Sequence, residues 1–196
     1  AGWDFTGNPV IKLDGSWLFA EGVFVDPDSV NLISFSNISK TINVPDIWNN
    51  QGYPNYTFGT YFLRIQLDEW QENFAMQIPT VSTACKIFIN GKEMYHQGSP
   101  GKTKETSIPS YHPDAFVVHS ELIRSAGFYQ KYLDIVIHIS NFHHADSGLW
   151  ESLLFGNANL LMNKWKRLII TTGMLNGILL ITSIIFLMFS FLRWDN

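Results

Sequence analysis

Three groups of residues in this chain could do chemistry. The first is His143-His144-x-Asp146, where two imidazoles and a carboxylate invite a metal ion. Neighbouring residues on a strand point to opposite faces, and this spacing fits no standard zinc site. The segment reads instead as a polar turn that locks the domain onto a following helix. The second group is the scattered carboxylates Glu93, Asp114, Glu121, Asp146 and Glu151. Cleaving a glycosidic bond needs two carboxyl groups about 5 to 9.5 Å apart across a sugar ring, and none of these lies in a recognisable catalytic context. The chain is therefore expected to carry no catalytic residue, no metal and no cofactor.

The third group is the loop Asp46-Ile47-Trp48-Asn49-Asn50-Gln51-Gly52-Tyr53-Pro54-Asn55-Tyr56. A pyranose has an apolar face and many hydroxyls, so an aromatic platform with amide and carboxylate partners suits it. Trp48, Asn50, Tyr53 and Tyr56 are the candidate ligand-binding residues. Trp48 reads first as a core residue and second as a binding residue; Trp17 reads as core.

The elements that must position this loop are strands. Tyr61, Leu63, Ile65 and Leu67 alternate with Phe62, Arg64 and Gln66. Leu133, Ile135, Ile137 and Ile139 alternate with Asp134, Val136, His138 and Ser140, and Cys85, Ile87 and Ile89 with Lys86 and Phe88. Period-two alternation puts one face of each strand on a core. Asn90-Gly91 follows directly and predicts a tight hairpin, since both residues accept positive φ. No helix is expected before about Asn157. Gln97 to Pro113, rich in Ser, Thr, Pro, Gly and Lys, reads as a long surface loop. Strands with turn signals over about 150 residues predict an all-β sandwich or jelly roll.

The end of the chain differs. Leu168 to Leu192 carries no charge. Its 25 residues would make about 38 Å of helix at 1.5 Å per residue, against a hydrocarbon core of about 30 Å. It predicts one transmembrane helix, with Trp165 and Trp194 at its ends as interfacial tryptophans. Gly173, Asn176 and Gly177 share one face, and an amide among small residues favours packing against other helices.

Charge divides along the same line. The 196 residues carry a net charge of −4. The part before Lys164 holds about −7, and the rest +3 through Lys164, Lys166, Arg167 and Arg193 against Asp195. An acidic domain without a basic stripe excludes nucleic acid as partner. Taken alone, three cations before the span and one after it place the domain in the cytoplasm; a large domain behind a signal peptide translocates regardless of such charges. The chain begins at Ala1 and reads as mature or trimmed, its secretory signal removed. The single cysteine, Cys85, rules out an intrachain disulfide and reads as a small core residue.

Five motifs follow one another: Leu13-Asp14-Gly15-Ser16-Trp17-Leu18-Phe19, Val44-Pro45-Asp46-Ile47-Trp48, Gly59-Thr60-Tyr61-Phe62-Leu63-Arg64, Ile87-Phe88-Ile89-Asn90-Gly91-Lys92 and the strand Leu133 to Asn141. In this order they resemble the sugar-binding jelly roll of the beta-galactosidase and beta-glucuronidase family. In those glycosidases the domain is non-catalytic. Here it runs into a membrane helix. That order resembles the bacterial seven-transmembrane receptors with diverse intracellular signalling modules, whose junction is similar to Ser140 to Trp150 and Leu154-Phe155-Gly156, and whose first span is similar to Leu175-Asn176-Gly177-Ile178-Leu179.

The resemblance implies a galactose-binding-like jelly-roll sensor domain over residues 1–156, a helical linker at 157–167, a transmembrane helix at 168–192 and the start of a cytoplasmic loop at 193–196. It implies a bacterial inner membrane, the domain on the periplasmic side, and six further helices with an output such as a nucleotide cyclase, diguanylate cyclase or histidine kinase. The expected partners are the membrane, a carbohydrate or related small molecule and the receptor's other helices, with a homodimer left open. The alternatives are a membrane-anchored carbohydrate-binding module or adhesin without output, and a tethered glycosidase fragment.

Overall fold

The computed structural model describes residues 9–30, 32–66, 73–119 and 132–194, apart from the side chains at 32, 33, 192 and 194. Leu67, Glu121 and Asp195, named above, lie outside the described residues.

Among the described residues, ten strands form two antiparallel sheets. They are β1 (Val10–Lys12), β2 (Gly15–Glu21), β3 (Lys40–Val44), β4 (Thr57–Gln66), β5 (Phe74–Ile78), β6 (Ala84–Ile89), β7 (Lys92–Gln97), β8 (Asp114–Val118), β9 (Tyr132–Asn141) and β10 (Leu154–Asn157). A four-stranded sheet runs β1-β10-β5-β8 and a six-stranded sheet β3-β2-β4-β9-β6-β7. This is the predicted all-β sandwich.

Strands β4 and β9 pair over their full length at the centre of the larger sheet, with Tyr61 opposite Ile137 and Leu63 opposite Ile135. Their inward residues meet Trp17, Phe19 and Trp48 from one side and Phe74, Met76 and Phe155 of the smaller sheet from the other. The alternation read from the sequence puts these residues there. Asn90 (φ 47°) and Gly91 (φ 87°) make the expected left-handed turn between β6 and β7.

The other face of the larger sheet departs from the alternation. Phe62 and Val136, at outward positions, are buried with Ala20 and Phe35. Phe35 belongs to a short helix, α1 (Leu32–Ser36), which the sequence reading does not anticipate. The chain between β2 and α1 folds back over this face. There the Thr60 hydroxyl donates to the Val23 carbonyl at 2.7 Å, and His138 Nε2 lies 2.7 Å from the Val25 carbonyl. A turn of 3-10 helix at Trp48–Gln51 is likewise unforeseen. Apolar outward residues on a central strand were the signal for a covering segment.

The stretch after β7 is less of a free surface loop than its composition predicts. Gln97 is a buried strand residue whose amide donates to the carbonyl of Val81 at 3.0 Å. Further on, the Ser107 and Ser140 hydroxyls lie 2.9 Å apart, and Gly101 N–H donates to Ser140 Oγ at 3.2 Å.

Strand β10 passes without a loop into one helix, α2 (Ala158–Trp194). Asn157 caps it by accepting the Leu160 N–H at 3.2 Å. At 37 residues it is about 55 Å long. It is the one described helix long and apolar enough to cross a membrane; its most apolar stretch has mean hydropathy 2.2 and none of it is buried.

Its first two turns behave differently. Ala158, Leu161 and Trp165 pack with Ala75 and Ala115 on the outer face of the smaller sheet. Trp165 is thereby buried, which corrects the reading of it as an interfacial tryptophan. The physical reason lies in the spacing: residues at i, i+3 and i+7 share one helix face, and here that face covers Ala75 and Ala115.

Candidate functional site

The 3-10 turn holds the predicted binding loop. Gln51 clamps it to β3 twice, accepting the Asn43 N–H at 2.6 Å and donating to the Asn43 carbonyl at 3.0 Å. Gly52, at φ 81°, closes the turn.

The four loop residues do different things. Trp48 is fully buried, its ring tilted against Phe19 and its indole N–H donating to the Tyr61 hydroxyl at 2.7 Å. It offers no face to a ligand, so its place among the binding candidates gives way to the core role. The Asn50 amide donates to Asp46 at 2.7 Å. Tyr53 sets its ring edge-on to Phe19, with centroids 5.1 Å apart, and burial pushes its phenol above the ordinary range. Tyr56 is 61% exposed. Trp48 and Tyr53 thus both pack on Phe19, while Asn50 bonds back to Asp46 and Tyr56 stands exposed.

The His143–Asp146 turn is also structural. Asn141 gathers it, donating to the carbonyls of His144 at 2.8 Å and Asn55 at 2.9 Å, while Ser147 donates to Asn55 Oδ1 at 3.0 Å. The turn thus ties the end of β9 to the loop before β4. It does not lock the domain onto the helix, which roots on the opposite sheet. Among the described residues no cluster of His, Cys, Asp and Glu could hold a metal ion.

A concave feature lies elsewhere. A cleft of about 390 Å³ opens on the outer face of the four-stranded sheet. Trp150, Leu154 and the prolines Pro45 and Pro79 give it apolar walls, and Lys12, Gln77, Glu151 and Ser152 give it polar groups. Its floor is a cross-strand row in which Lys12 pairs with Leu154 and Leu154 with Gln77. The sequence reading missed this site, because its residues come from four separate segments. Pro45, Trp150 and Leu154 were visible in it as parts of motifs, and Glu151 as a carboxylate without context.

On the membrane helix, Gly173 and Asn176 are exposed and Gly177 is partly covered. No atom comes within 4 Å of where a Cβ would stand at either glycine. This face has no partner within the described chain.

Comparison with known proteins bears on the fold. No family model matches the chain, and no curated protein matches it in sequence. Solved structures do. Beta-glucuronidase 2 of Bacteroides uniformis superposes with a TM-score of 0.53 at 15% identity, over 74% of this chain and 17% of that one. A glycosyl hydrolase family 2 member from Bacteroides cellulosilyticus superposes with a TM-score of 0.54 at 16% identity, over 76% of this chain and 20% of that one. The chain therefore shares a β-sandwich with one part of these glycosidases and spans no more than about a fifth of their length.

Proposed function

We propose that this chain is the extracytoplasmic ligand-sensing domain and first membrane helix of a bacterial transmembrane signalling receptor, with a carbohydrate or related small molecule as its ligand. One observation carries the reading: α2 is unbroken from Ala158, packed on the sandwich, to Trp194 at the far end of the apolar span. Domain and span are joined by one continuous helix. A ligand shifts an equilibrium only through its differential affinity for two states, and here a changed seat for the helix root would change the setting of the span. The basic residues Lys164, Lys166 and Arg167 are exposed where the helix leaves the sandwich, ready to meet lipid headgroups.

The glycosidase-like sandwich supports the carbohydrate class. Catalysis would reside in a cytoplasmic output beyond these residues, and this portion would bind without turning over.

The test uses the full chain in lipid nanodiscs. Cys85 is the sole thiol and is fully buried, so a thiol-reactive dye reports unfolding. A neutral or acidic sugar that raises the melting temperature with concentration supports the ligand class. Labelling of a Lys102→Cys variant by an impermeant maleimide on intact cells supports the outward orientation; labelling only after lysis overturns it. An anchored binding module without output would show the same melting shift with no movement of the helix.

A further inference from the structure

We propose that the cleft on the outer face of the four-stranded sheet binds one neutral pyranose unit, and that Leu154 carries its occupancy to the root of the membrane helix. The second half rests on the receptor reading; the first half stands without it.

The side chains of Lys12, Gln77 and Glu151 make no hydrogen bond or ion pair among the described residues. An ammonium only donates, a carboxylate only accepts, and a primary amide does both. Ring hydroxyls donate and accept at once, so adjacent hydroxyls of a sugar satisfy all three. One cation and one anion cancel, which favours a neutral sugar over a uronic acid or an amino sugar.

Trp150 supplies the remaining element. Its ring offers the flat apolar surface on which the C–H face of a pyranose rests. Its indole N–H is buried away from the cleft, without a partner among the described residues, and one face of the ring stacks on His144 with centroids 6.3 Å apart. The volume of about 390 Å³ sits near the low end of small-molecule sites, roughly 300–1,000 Å³, and suits one ring better than an oligosaccharide.

The coupling follows from register. Directly paired strand residues share a face, so Lys12, Leu154 and Gln77 stand in one row. The next row on that face includes Val10, Ala75 and Val117, which pack with the helix residues Ala158, Leu161 and Trp165. Leu154 belongs to both, lining the cleft and packing in the helix cluster. A ring seated against Leu154 bears on the side chain that the helix root rests upon.

The experiment is calorimetric titration of the full chain in nanodiscs with glucose, galactose and mannose, with glucuronate and glucosamine as charged controls. The expected result is binding of a neutral hexose, at least tenfold tighter than either control, and weakened tenfold or more by Trp150→Ala and by Gln77→Ala. If Trp150→Ala does not fold, Gln77→Ala and Lys12→Ala carry the test. No hexose binding, tighter binding of a charged control, or binding indifferent to Gln77→Ala and Lys12→Ala overturns the site. Coupling is read from spin labels at Lys40→Cys and Lys164→Cys in a Cys85→Ala background. Sugar should shift their distance distribution, and Leu154→Ala should abolish the shift while keeping the binding. Binding without a shift overturns the coupling and the receptor reading with it, and leaves the cleft assignment in place.

Discussion

The indole N–H of Trp48 donates to the hydroxyl of Tyr61 across 2.7 Å, inside the sandwich, with neither side chain reaching solvent. A loop residue and a strand residue thus share a hydrogen bond that water cannot replace. Burial also holds the Tyr61 phenol far above its ordinary pKa, so it stays a neutral acceptor. Tyr61→Phe removes the acceptor and strands a buried donor, which costs about 1–3 kcal/mol. Denaturant unfolding followed by Cys85 labelling measures the loss. An unchanged midpoint would mean that the bond contributes nothing.

Gly148 is held by the same pair. A Cβ there would stand 2.8 Å from the Trp48 ring and 2.9 Å from the Tyr61 hydroxyl, and its φ of +83° lies in the left-handed region. Gly148→Ala therefore meets a conformational cost of about 1–2 kcal/mol and crowding of about 1–3 kcal/mol. The variant should melt well below the parent. Gly52→Ala, where a Cβ meets nothing within 4 Å, isolates the conformational part.

His138 makes stability depend on pH. Desolvation pushes its pKa below 6.5, against the opposing pull of the Val25 carbonyl, with Lys86, Asp26 and Glu93 contributing less. The carbonyl only accepts, so Nε2 carries the proton of the neutral ring, which also stacks on Phe24. The folded state therefore prefers the neutral form. The contribution of His138 is complete above about pH 6.5 and declines as pH falls from there through the folded pKa. His138→Phe should flatten the fall in melting temperature between pH 7 and pH 5. An equal slope in both proteins would assign the dependence to other groups.

Burial of the lone thiol gives a further check. Cys85 is pushed up to about 12 by desolvation, with a hydrogen bond involving Gln97 acting the other way. The thiolate is the reactive form, so in the folded protein at pH 8 the residue should resist maleimide. Its labelling rate should track the unfolded fraction across a denaturant series. Fast labelling of the native state would show local opening of the β6–β7 hairpin.

How far these features were legible depends on distance along the chain. The inward faces of β4, β6 and β9 could be read because alternation is a local signal, and the Asn90-Gly91 turn because its demand for positive φ falls on two adjacent residues. Phe62 and Val136 broke the alternation, yet their cover comes from Phe35, more than 25 residues from either. Trp165 could be placed only once the sheet beneath it was known: apolar residues at helical spacing suit a lipid interface and a protein face equally. The cleft was least legible of all. Lys12, Gln77 and Leu154 meet through strand pairing, and no local pattern announces which strands pair.

The membrane helix yields the last prediction. Asn176 is exposed, and the glycines one turn before it and next to it have open space where a Cβ would stand. Lipid tails give helices no hydrophobic reason to associate, so close backbone approach at small residues and interhelical hydrogen bonds supply the attraction. An asparagine amide facing lipid has no such partner; against a second helix it has one. Two copies of this chain in a bilayer should therefore associate through the Gly173-Asn176-Gly177 face. Asn176→Leu should weaken that association by about 0.6–2 kcal/mol, read as a shift in energy transfer between labelled copies diluted in lipid. Leu180→Asn, which moves the amide one turn along the helix, should not restore it. If Asn176→Leu associates as well as the parent, the amide is merely tolerated in the bilayer, and the face has no role in bringing helices together.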